Sequence, residues 1–298
     1  MPIFDRRALI VAGPDRKSWL NGLTTCDVAQ LPPDAAIYGL AIQKNGRIVS
    51  DLYLFEAEPT LLAFVPSSVA EGLAKALDAY LIMEDATVAV GEFALFAVLG
   101  PGAYVIAQAA RKASSRLIAR SYDGWGVPAV LVAAPDARAG ETESLLRQAV
   151  AAGGGQVGTA EEWGQLRAHG SIPEFGIDFD GSMYPQEAGL ATRAVSFSKG
   201  CYLGQEVVCM LEMRGQVRRK LVVISYEGEP LPPNSKVLST AGEPAGETKG
   251  AVVDGLQPGR SLAFAMLKRV LAEAGTELVV AAGDGASRVA RVVERTWP

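Results

Sequence analysis

The 298-residue chain has little of the chemistry that metal sites and nucleophilic catalysis need, with three cysteines and one histidine. Cys26, Cys201 and Cys209 are odd in number and share no repeated short spacing, which argues against a disulfide framework or a zinc knuckle. We expect free thiols in a reducing compartment and no metal site. Any Ser-His-Asp or Cys-His catalysis would have to use His169. Walker, GxGxxG, HExxH and CxxC motifs are missing, which removes most nucleotide and metalloprotease functions.

Long apolar runs and an excess of positive charge are missing as well. No stretch reaches the roughly 18 apolar residues of a membrane helix, and the apolar run after Arg7 is too short for a signal peptide. We therefore expect a cytoplasmic protein with no membrane partner. The net charge of −5 opposes a broad nucleic-acid surface, so direct tRNA binding is not expected. The basic cluster that we interpret as a solvated strand edge consists of Arg214, Arg218, Arg219 and Lys220.

What the sequence does contain is short apolar runs separated by turn residues. The run LIVAGPD over 9–15 predicts a strand that enters a turn, and Asn45-Gly46 is the strongest hairpin signal in the chain. Apolar residues at helical spacing predict a helix over 67–84. We therefore expect an N-terminal α/β module with an antiparallel sheet over 1–92.

The rest of the chain predicts two further modules. FALFAVLGPGAYVIAQAARKA over 93–113 repeats the order strand, turn and helix, which suggests a second α/β module over 93–216 that can interleave with the first. This module includes an irregular, glycine-rich stretch over 161–215, a pattern typical of a functional surface. After Leu221, six short β-like runs predict a small antiparallel barrel or sandwich over 217–298.

The most unusual segment is KGCYLGQE over 199–206, in which Cys201 follows a glycine and comes two residues after Lys199. Glycine allows close backbone approach, and a nearby ammonium favours the thiolate form of a cysteine. These features indicate an accessible, working thiol, although a buried small residue is the commoner fate of a free cysteine. The residues alone leave both interpretations open. Cys26 and Cys209 lack glycine neighbours, and we interpret both as structural.

KGCYLGQE resembles the signature of the YgfZ-type folate-binding proteins, relatives of the glycine-cleavage T-protein, an aminomethyltransferase. Three further stretches of this chain resemble segments of the same family. They are GPDRKSWLNGLTTCDV over 13–28, KNGRIVSDLYLF over 44–55 and LRAHGSIPEFGIDFDGSMYPQEAGL over 166–190. The resemblance implies an α+β fold, a T-protein-like ring of two α/β modules with antiparallel sheets plus a C-terminal antiparallel β-barrel. It also implies a tetrahydrofolate channel. In the YgfZ branch the implied role is maintenance of iron–sulfur enzymes, including one that thiomethylates tRNA. In the T-protein branch it is aminomethyl transfer to tetrahydrofolate.

The resemblance also implies the site residues and partners. Cys201 would be the functional thiol, and Lys199 and Asp51 are the other catalytic candidates. Trp163 would line the folate cavity, with plain core packing as the alternative. The implied partners are folate or a related small molecule and iron–sulfur client or assembly proteins, and we expect a monomer. The remaining cofactor-binding candidates are Arg167, His169, Tyr202, Gln205 and Glu206.

Departures from the T-protein pattern help to choose between the branches. Ser50-Asp51 stands where the T-protein carries paired acids, and His169 stands where its glutamate anchors the pterin. A serine cannot manage the charge of an iminium-like intermediate, and a neutral imidazole cannot accept two N–H groups as a carboxylate does. After the signature, Cys209-Met210 replaces a small residue and an arginine. The sequence therefore favours the accessory role over aminomethyl transfer, while a folate-independent binding scaffold stays open as a third hypothesis. Whether the chain is an enzyme stays open too.

Overall fold

The structure is a computed structural model, and it describes residues 5–114, 116–215, 217–281 and 287–294. The chain divides into two compact units. The N-terminal unit comprises Met1–Val157 together with Thr192–Gln205, and the C-terminal unit comprises Gly158–Ala191 together with Glu206–Pro298. Most of the KGCYLGQE segment therefore belongs to the N-terminal unit, although it follows residues of the C-terminal unit in the chain.

The N-terminal unit begins with a five-stranded antiparallel sheet. Its elements are β1 (Arg6–Ala12), α1 (Arg16–Asn21), β2 (Ile37–Ile42), β3 (Ile48–Ala57), β4 (Thr60–Pro66), α2 (Ala70–Asp78) and β5 (Thr87–Gly91). The strand order is β2-β3-β4-β1-β5. Apolar residues of α1, α2 and the sheet, among them Leu20, Leu54 and Leu73, form one buried core. The predicted hairpin is confirmed, because Asn45 and Gly46 lie in the β2–β3 turn and Gly46 has a φ of 78°.

The helix predicted over 67–84 is shorter in the structure. Residues 67–69 form a 3₁₀ turn and α2 ends at Asp78. Beyond it, the Glu84 carboxylate accepts hydrogen bonds from the backbone N–H groups of Ile82 and Met83, each at 3.1 Å. The Glu84 side chain thus gives these N–H groups a partner other than a helical carbonyl. The helix therefore does not extend over 79–84, although the apolar spacing of the sequence continues there.

A second, three-stranded antiparallel sheet completes the N-terminal unit. Its elements are β6 (Phe93–Leu99), α3 (Ala103–Ala113), β7 (Ile118–Tyr122), β8 (Ala129–Pro135) and α4 (Ala139–Ala152). The strand order is β6-β8-β7, and both helices pack on the sheet around Phe96, Ala107 and Leu146. The strand-to-helix turns of the two sheets contain matching glycines, Gly13 and Gly100, each with a φ of 102°. These matching turns agree with the similarity of the two segments in sequence.

The C-terminal unit is built on a closed antiparallel barrel, which decides between the barrel and the sandwich. The remaining elements of the chain are α5 (Ala160–His169), α6 (Ala191–Ala194), α7 (Gln205–Arg214), β9 (Arg219–Glu227), β10 (Lys236–Ser239), β11 (Pro244–Val253), β12 (Arg260–Lys268), β13 (Glu277–Ala281) and β14 (Ser287–Val292). The barrel order is β10-β11-β12-β9-β14-β13, and closure gives each of these strands two neighbours. Ile224, Leu267 and Val280 lie in its core.

The module boundaries predicted after residues 92 and 216 fall between elements, the first between β5 and β6 and the second between α7 and β9. The three-module division stays a prediction. In the described part of the chain, no helix has both the length and the apolar character needed to cross a membrane.

Candidate functional site

Cys201 lies in the connection between α6 and α7, on a segment that we call the thiol loop, residues 199–204. All three cysteines are free, and their exposures differ: Cys201 is exposed, Cys209 is half-buried and Cys26 is buried. The backbone next to the thiol is open too, since nothing lies within 4 Å of the position that a Cβ on Gly200 would occupy. Of the two interpretations of Cys201, the structure agrees with the accessible thiol. Its reactivity stays a prediction.

Lys199 joins the thiol loop to residues 21–26, which we call the 21–26 loop. Its ammonium donates hydrogen bonds to the carbonyls of Asn21 at 2.6 Å, Thr24 at 2.9 Å and Cys26 at 2.6 Å. Because an ammonium has three hydrogens, these carbonyls use all of them. Burial lowers the pKa of Lys199, and it raises the pKa of the Cys26 thiol to about 11. Cys26 is therefore a protonated, packed thiol at neutral pH.

Backbone hydrogen bonds hold the thiol loop and the residues before it against the same 21–26 loop. The N–H of Ser196 donates to the carbonyl of Thr25 at 2.9 Å, and the N–H of Leu203 donates to the carbonyl of Gly22 at 2.9 Å. The buried Thr25 hydroxyl donates to the carbonyl of Ala194 and accepts the N–H of Leu40 at 2.9 Å. Thr25 was not a predicted site residue. It connects β2 to the segment that carries the thiol.

The end of the thiol loop approaches the β2–β3 hairpin closely. Gly204 has a φ of 77°, and a Cβ at this position would lie 2.4 Å from the carbonyl oxygen of Gln43 and 2.9 Å from Ile42. Only glycine combines this left-handed conformation with such close backbone approach. Tyr202 is buried, and its ring centroid lies 5.2 Å from the Lys199 ammonium, within cation–π range.

The residues that follow the loop open α7. Gln205 is half-buried, and its N–H donates to the carbonyl of Tyr202 at 3.2 Å, while Glu206 is exposed in the first helical turn. The predicted cofactor contacts of Tyr202, Gln205 and Glu206 stay predictions.

Asp51 is buried in β3 and is bound by three donors. The Arg6 guanidinium donates to its two carboxylate oxygens at 3.0 and 2.8 Å, and the Tyr38 hydroxyl donates at 3.0 Å. Burial and the Asp51 carboxylate raise the pKa of Tyr38 well above its ordinary value, so Tyr38 remains a donor. Ser50, at the position of the other T-protein acid, donates its hydroxyl to the Asp51 backbone carbonyl at 2.8 Å. The carboxylate is therefore engaged in a structural ion pair.

Aromatic side chains pack beside this ion pair in a cluster that the sequence did not predict. The Tyr53 ring lies at centroid distances of 5.0 Å from Tyr38, 5.4 Å from Tyr122 and 5.7 Å from Trp125. Trp125 donates its indole N–H to the Tyr53 hydroxyl at 3.2 Å. Half-buried Arg193 interacts electrostatically with the tyrosines of this cluster, and burial lowers its pKa. These side chains come from distant parts of the chain, so no local sequence motif predicts the cluster.

Three of the predicted cofactor residues lie on α5 in the C-terminal unit. Arg167 is buried, and it binds Asp178, the carboxylate of Glu174 at 3.1 Å and the carbonyl of Ile172 at 3.2 Å. The Arg167 guanidinium thus holds the turn over 172–178.

The other two predicted cofactor residues on α5 are His169 and Trp163. The Nε2 atom of His169 lies 3.0 Å from the buried Asp254 carboxylate, whose same oxygen accepts the N–H of Leu256 at 2.9 Å. The imidazole edge that faces Asp254 is therefore occupied. Trp163 is half-buried.

The predicted site residues thus divide between the two units. The N-terminal unit holds Lys199, Cys201, Tyr202, Gln205 and Asp51. The C-terminal unit holds Trp163, Arg167, His169 and Glu206. Within the first set, Lys199 and Tyr202 are in direct contact, while the Asp51 carboxylate binds Arg6 and Tyr38. Among the residues that the structure describes, no three His, Cys, Asp or Glu side chains are grouped to hold a metal ion.

Comparison with known proteins identifies relatives that align with most of this chain. The mitochondrial iron-sulfur cluster assembly factor IBA57 of Mus musculus is 31% identical over 275 residues, covering 82% of this chain and 72% of that protein. The tRNA-modifying protein YgfZ of Vibrio atlanticus is 25% identical over 226 residues, covering 75% and 68%. YgfZ of Aliivibrio fischeri is 23% identical over 277 residues, covering 90% and 85%. No protein-family model matches the chain.

Among solved structures, the glycine cleavage system aminomethyltransferase T from Bartonella henselae superposes with a TM-score of 0.83. The match covers 98% of this chain and 84% of that chain, at 18% sequence identity. At this identity the match concerns the fold. It confirms the predicted T-protein-like α+β class with antiparallel sheets and a C-terminal barrel.

Proposed function

This chain belongs to the family of the iron–sulfur cluster assembly factor IBA57 and the tRNA-modifying protein YgfZ, and from that premise we propose that it is an accessory protein for iron–sulfur enzymes. In this role it supports their assembly or repair and, through them, tRNA modification. Cys201 is the functional thiol. The clients are iron–sulfur enzymes or the proteins that assemble their clusters.

The observation that carries this proposal is the exposed thiol of Cys201 on a loop whose backbone is held on both sides. Hydrogen bonds fix Ser196 before the thiol and Leu203 after it. A thiolate is the form of cysteine that binds metals and attacks electrophiles. A loop that is already ordered does not lose conformational entropy when a partner docks, so the thiol is presented at little cost.

Aminomethyl transfer is the less favoured function, because the surviving acid is engaged. A general base must reach the proton that it removes. The Asp51 carboxylate instead accepts hydrogen bonds from Arg6 and Tyr38 inside the protein, where its exposed fraction is 1%. We therefore expect no turnover of an aminomethyl or N-methyl donor with tetrahydrofolate, measured as formation of methylene-tetrahydrofolate.

Tetrahydrofolate fits the residues at the predicted positions only in part. Half-buried Trp163 can offer an aromatic face to a pterin or aminobenzoyl ring. His169 cannot take two pterin N–H groups, because its Nε2 atom is committed to Asp254 and an imidazole has no second acceptor on that edge. With Trp163 as the residue that supports it, we propose tetrahydrofolate as a bound ligand of the accessory protein, and we assign it no reaction step.

Calorimetry tests the folate part of the proposal. Titration of the purified chain with tetrahydrofolate should show binding, and Trp163→Ala should weaken it about tenfold, as loss of a stacking face does. Absence of binding would leave the folate-independent scaffold as the better description.

Genetic rescue tests the thiol. In a strain that lacks this protein, the wild-type chain should restore iron–sulfur enzyme activities and tRNA thiomethylation. Cys201→Ala should leave both at the level of the deletion, while Cys209→Ala, a matched control on the half-buried thiol, should restore them. Full rescue by Cys201→Ala, beside a clear defect in the deletion, refutes the role of the thiol.

A further inference from the structure

Lys199 is the charged side chain nearest in sequence to the functional thiol, and its ammonium donates its hydrogen bonds to backbone carbonyls. All three ammonium hydrogens are used by the carbonyls of Asn21, Thr24 and Cys26. The residue is 8% exposed. An ammonium stabilises a thiolate most strongly when it donates a hydrogen bond to it, and Lys199 has no hydrogen left to donate.

The three carbonyls in turn depend on the Lys199 ammonium as a hydrogen-bond donor. Asn21 is the last residue of α1, where carbonyls lack helical partners, and the next two acceptors follow within five residues. Without Lys199, the three oxygens would converge on one buried point with no donor between them. Buried carbonyls without a donor are unfavourable, so removing the ammonium should open the 21–26 loop.

The 21–26 loop is also the surface against which the thiol loop is fixed. Lys199 attaches to it between two backbone contacts, Ser196 to Thr25 before it and Leu203 to Gly22 after it. Cys201 lies between the second and third of these attachments. A change in the 21–26 loop therefore changes the position of the thiol.

We propose that Lys199 is a positioning residue for Cys201, which gathers the carbonyls of the 21–26 loop around its ammonium and so fixes the loop that presents the thiol. The inference rests on the proposed function, because it takes Cys201 to be the functional group. The physical arrangement it describes can nevertheless be tested on the purified chain alone.

Lys199→Met, which keeps the length of the side chain and removes its donors, tests the proposal. Lys44→Met, at an exposed lysine of the same unit, is the control. Amide hydrogen exchange at Ser196 and Leu203 should become at least roughly tenfold faster in Lys199→Met and stay unchanged in the control. The pH midpoint for alkylation of Cys201 by iodoacetamide should stay within about 0.3 pH units of the wild type in both variants.

Two results overturn the proposal. One is unchanged exchange at Ser196 and Leu203 in a folded Lys199→Met chain. The other is a rise of the alkylation midpoint by about one pH unit, with or without faster exchange, since this shows that the charge acts on the thiol. Neither measurement depends on iron–sulfur enzymes, so failure here is distinct from failure of the rescue by the wild-type chain.

Nitrogen-15 NMR of the unmutated chain gives a second test that does not depend on a variant. An ammonium held by three carbonyls should give a slowly exchanging signal, which contacts with the Tyr202 ring assign to Lys199. Alkylation of Cys201 should leave this signal in place. A rapidly exchanging ammonium, or a signal that moves when Cys201 is alkylated, contradicts the proposal.

Discussion

The close approach of the thiol loop to the β2–β3 hairpin makes Gly204 a position where a single added methyl group should destabilise the fold. Gly204→Ala places a non-glycine residue at a φ of 77°. It also places the new Cβ 2.4 Å from the Gln43 carbonyl oxygen, a backbone atom that cannot swing away as a flexible side chain can. The loop or the hairpin must therefore move.

The expected loss follows from these two effects. A left-handed conformation costs an alanine about 1–2 kcal/mol. Forcing a methyl group into filled space costs about 1–3 kcal/mol. Together they lower the free energy of unfolding by about 3 kcal/mol. Gly200→Ala is the matched control in the same loop, because its φ lies outside the left-handed region and the added Cβ meets open space. Its expected change is within about 0.5 kcal/mol.

Urea unfolding followed by tryptophan fluorescence measures both variants, and the buried Trp19 and Trp125 contribute the signal of the unit that contains the loop. The transition midpoint of Gly204→Ala should fall, with the slope of the transition unchanged. Alkylation of Cys201 should become faster or slower in Gly204→Ala and stay as in the wild type in Gly200→Ala. Equal losses of stability in the two variants, or a loss below about 1 kcal/mol in Gly204→Ala, refute the close packing described here.

Two further predictions concern buried charges and a buried thiol. Arg6→Met leaves the buried Asp51 carboxylate without its ion-pair partner and should lower the free energy of unfolding by about 3 kcal/mol or more. Arg6→Met combined with Asp51→Asn should lower the free energy of unfolding by clearly less, because no unpaired charge is then buried. Equal losses in the single and double variants, measured by urea unfolding, would show that the ion pair is not the cause. Because burial raises the pKa of Cys26 from 9.0 to about 11, the folded chain keeps a proton that the unfolded chain loses in this range. The contribution of Cys26 to stability should thus be constant below about pH 8, fall as the pH rises through 9 to 11, and be lower by roughly 2.7 kcal/mol above that range. Subtracting the pH profile of Cys26→Ala isolates this loss, and parallel profiles for the two chains would contradict it.

The features that sequence could predict are local in the chain. Asn45-Gly46 specifies a hairpin because its residues tolerate positive φ, and the turn forms there. The two strand-to-helix turns are similar in sequence and have glycines with the same φ. Glycines near Cys201 allow close backbone approach, and Gly204 makes such an approach to Gln43, whereas Gly200 faces open space. In each case the physical cause lies within a few residues.

What sequence could not predict depends on partners far along the chain. Lys199 is close to Cys201 in sequence, yet the carbonyls that accept its hydrogen bonds lie between 173 and 178 residues away. Asp51 looks like a free acid until β1 and β2 bring Arg6 and Tyr38 to it. His169 meets Asp254 across 85 residues. The spacing of these residues in the chain does not predict their contacts, because strand pairing and barrel closure bring the partners together.

The most direct test of the account is whether the thiol of Cys201 is needed for the activity of an iron–sulfur enzyme outside the cell. Extracts of a strain lacking this protein would receive the purified chain, either unmodified or alkylated at Cys201 alone, as verified by peptide mass. The exposed Cys201 should react before the half-buried Cys209 and the buried Cys26. The account predicts that the unmodified chain restores the enzyme's activity and that the alkylated chain does not. Equal restoration by the alkylated chain would contradict it.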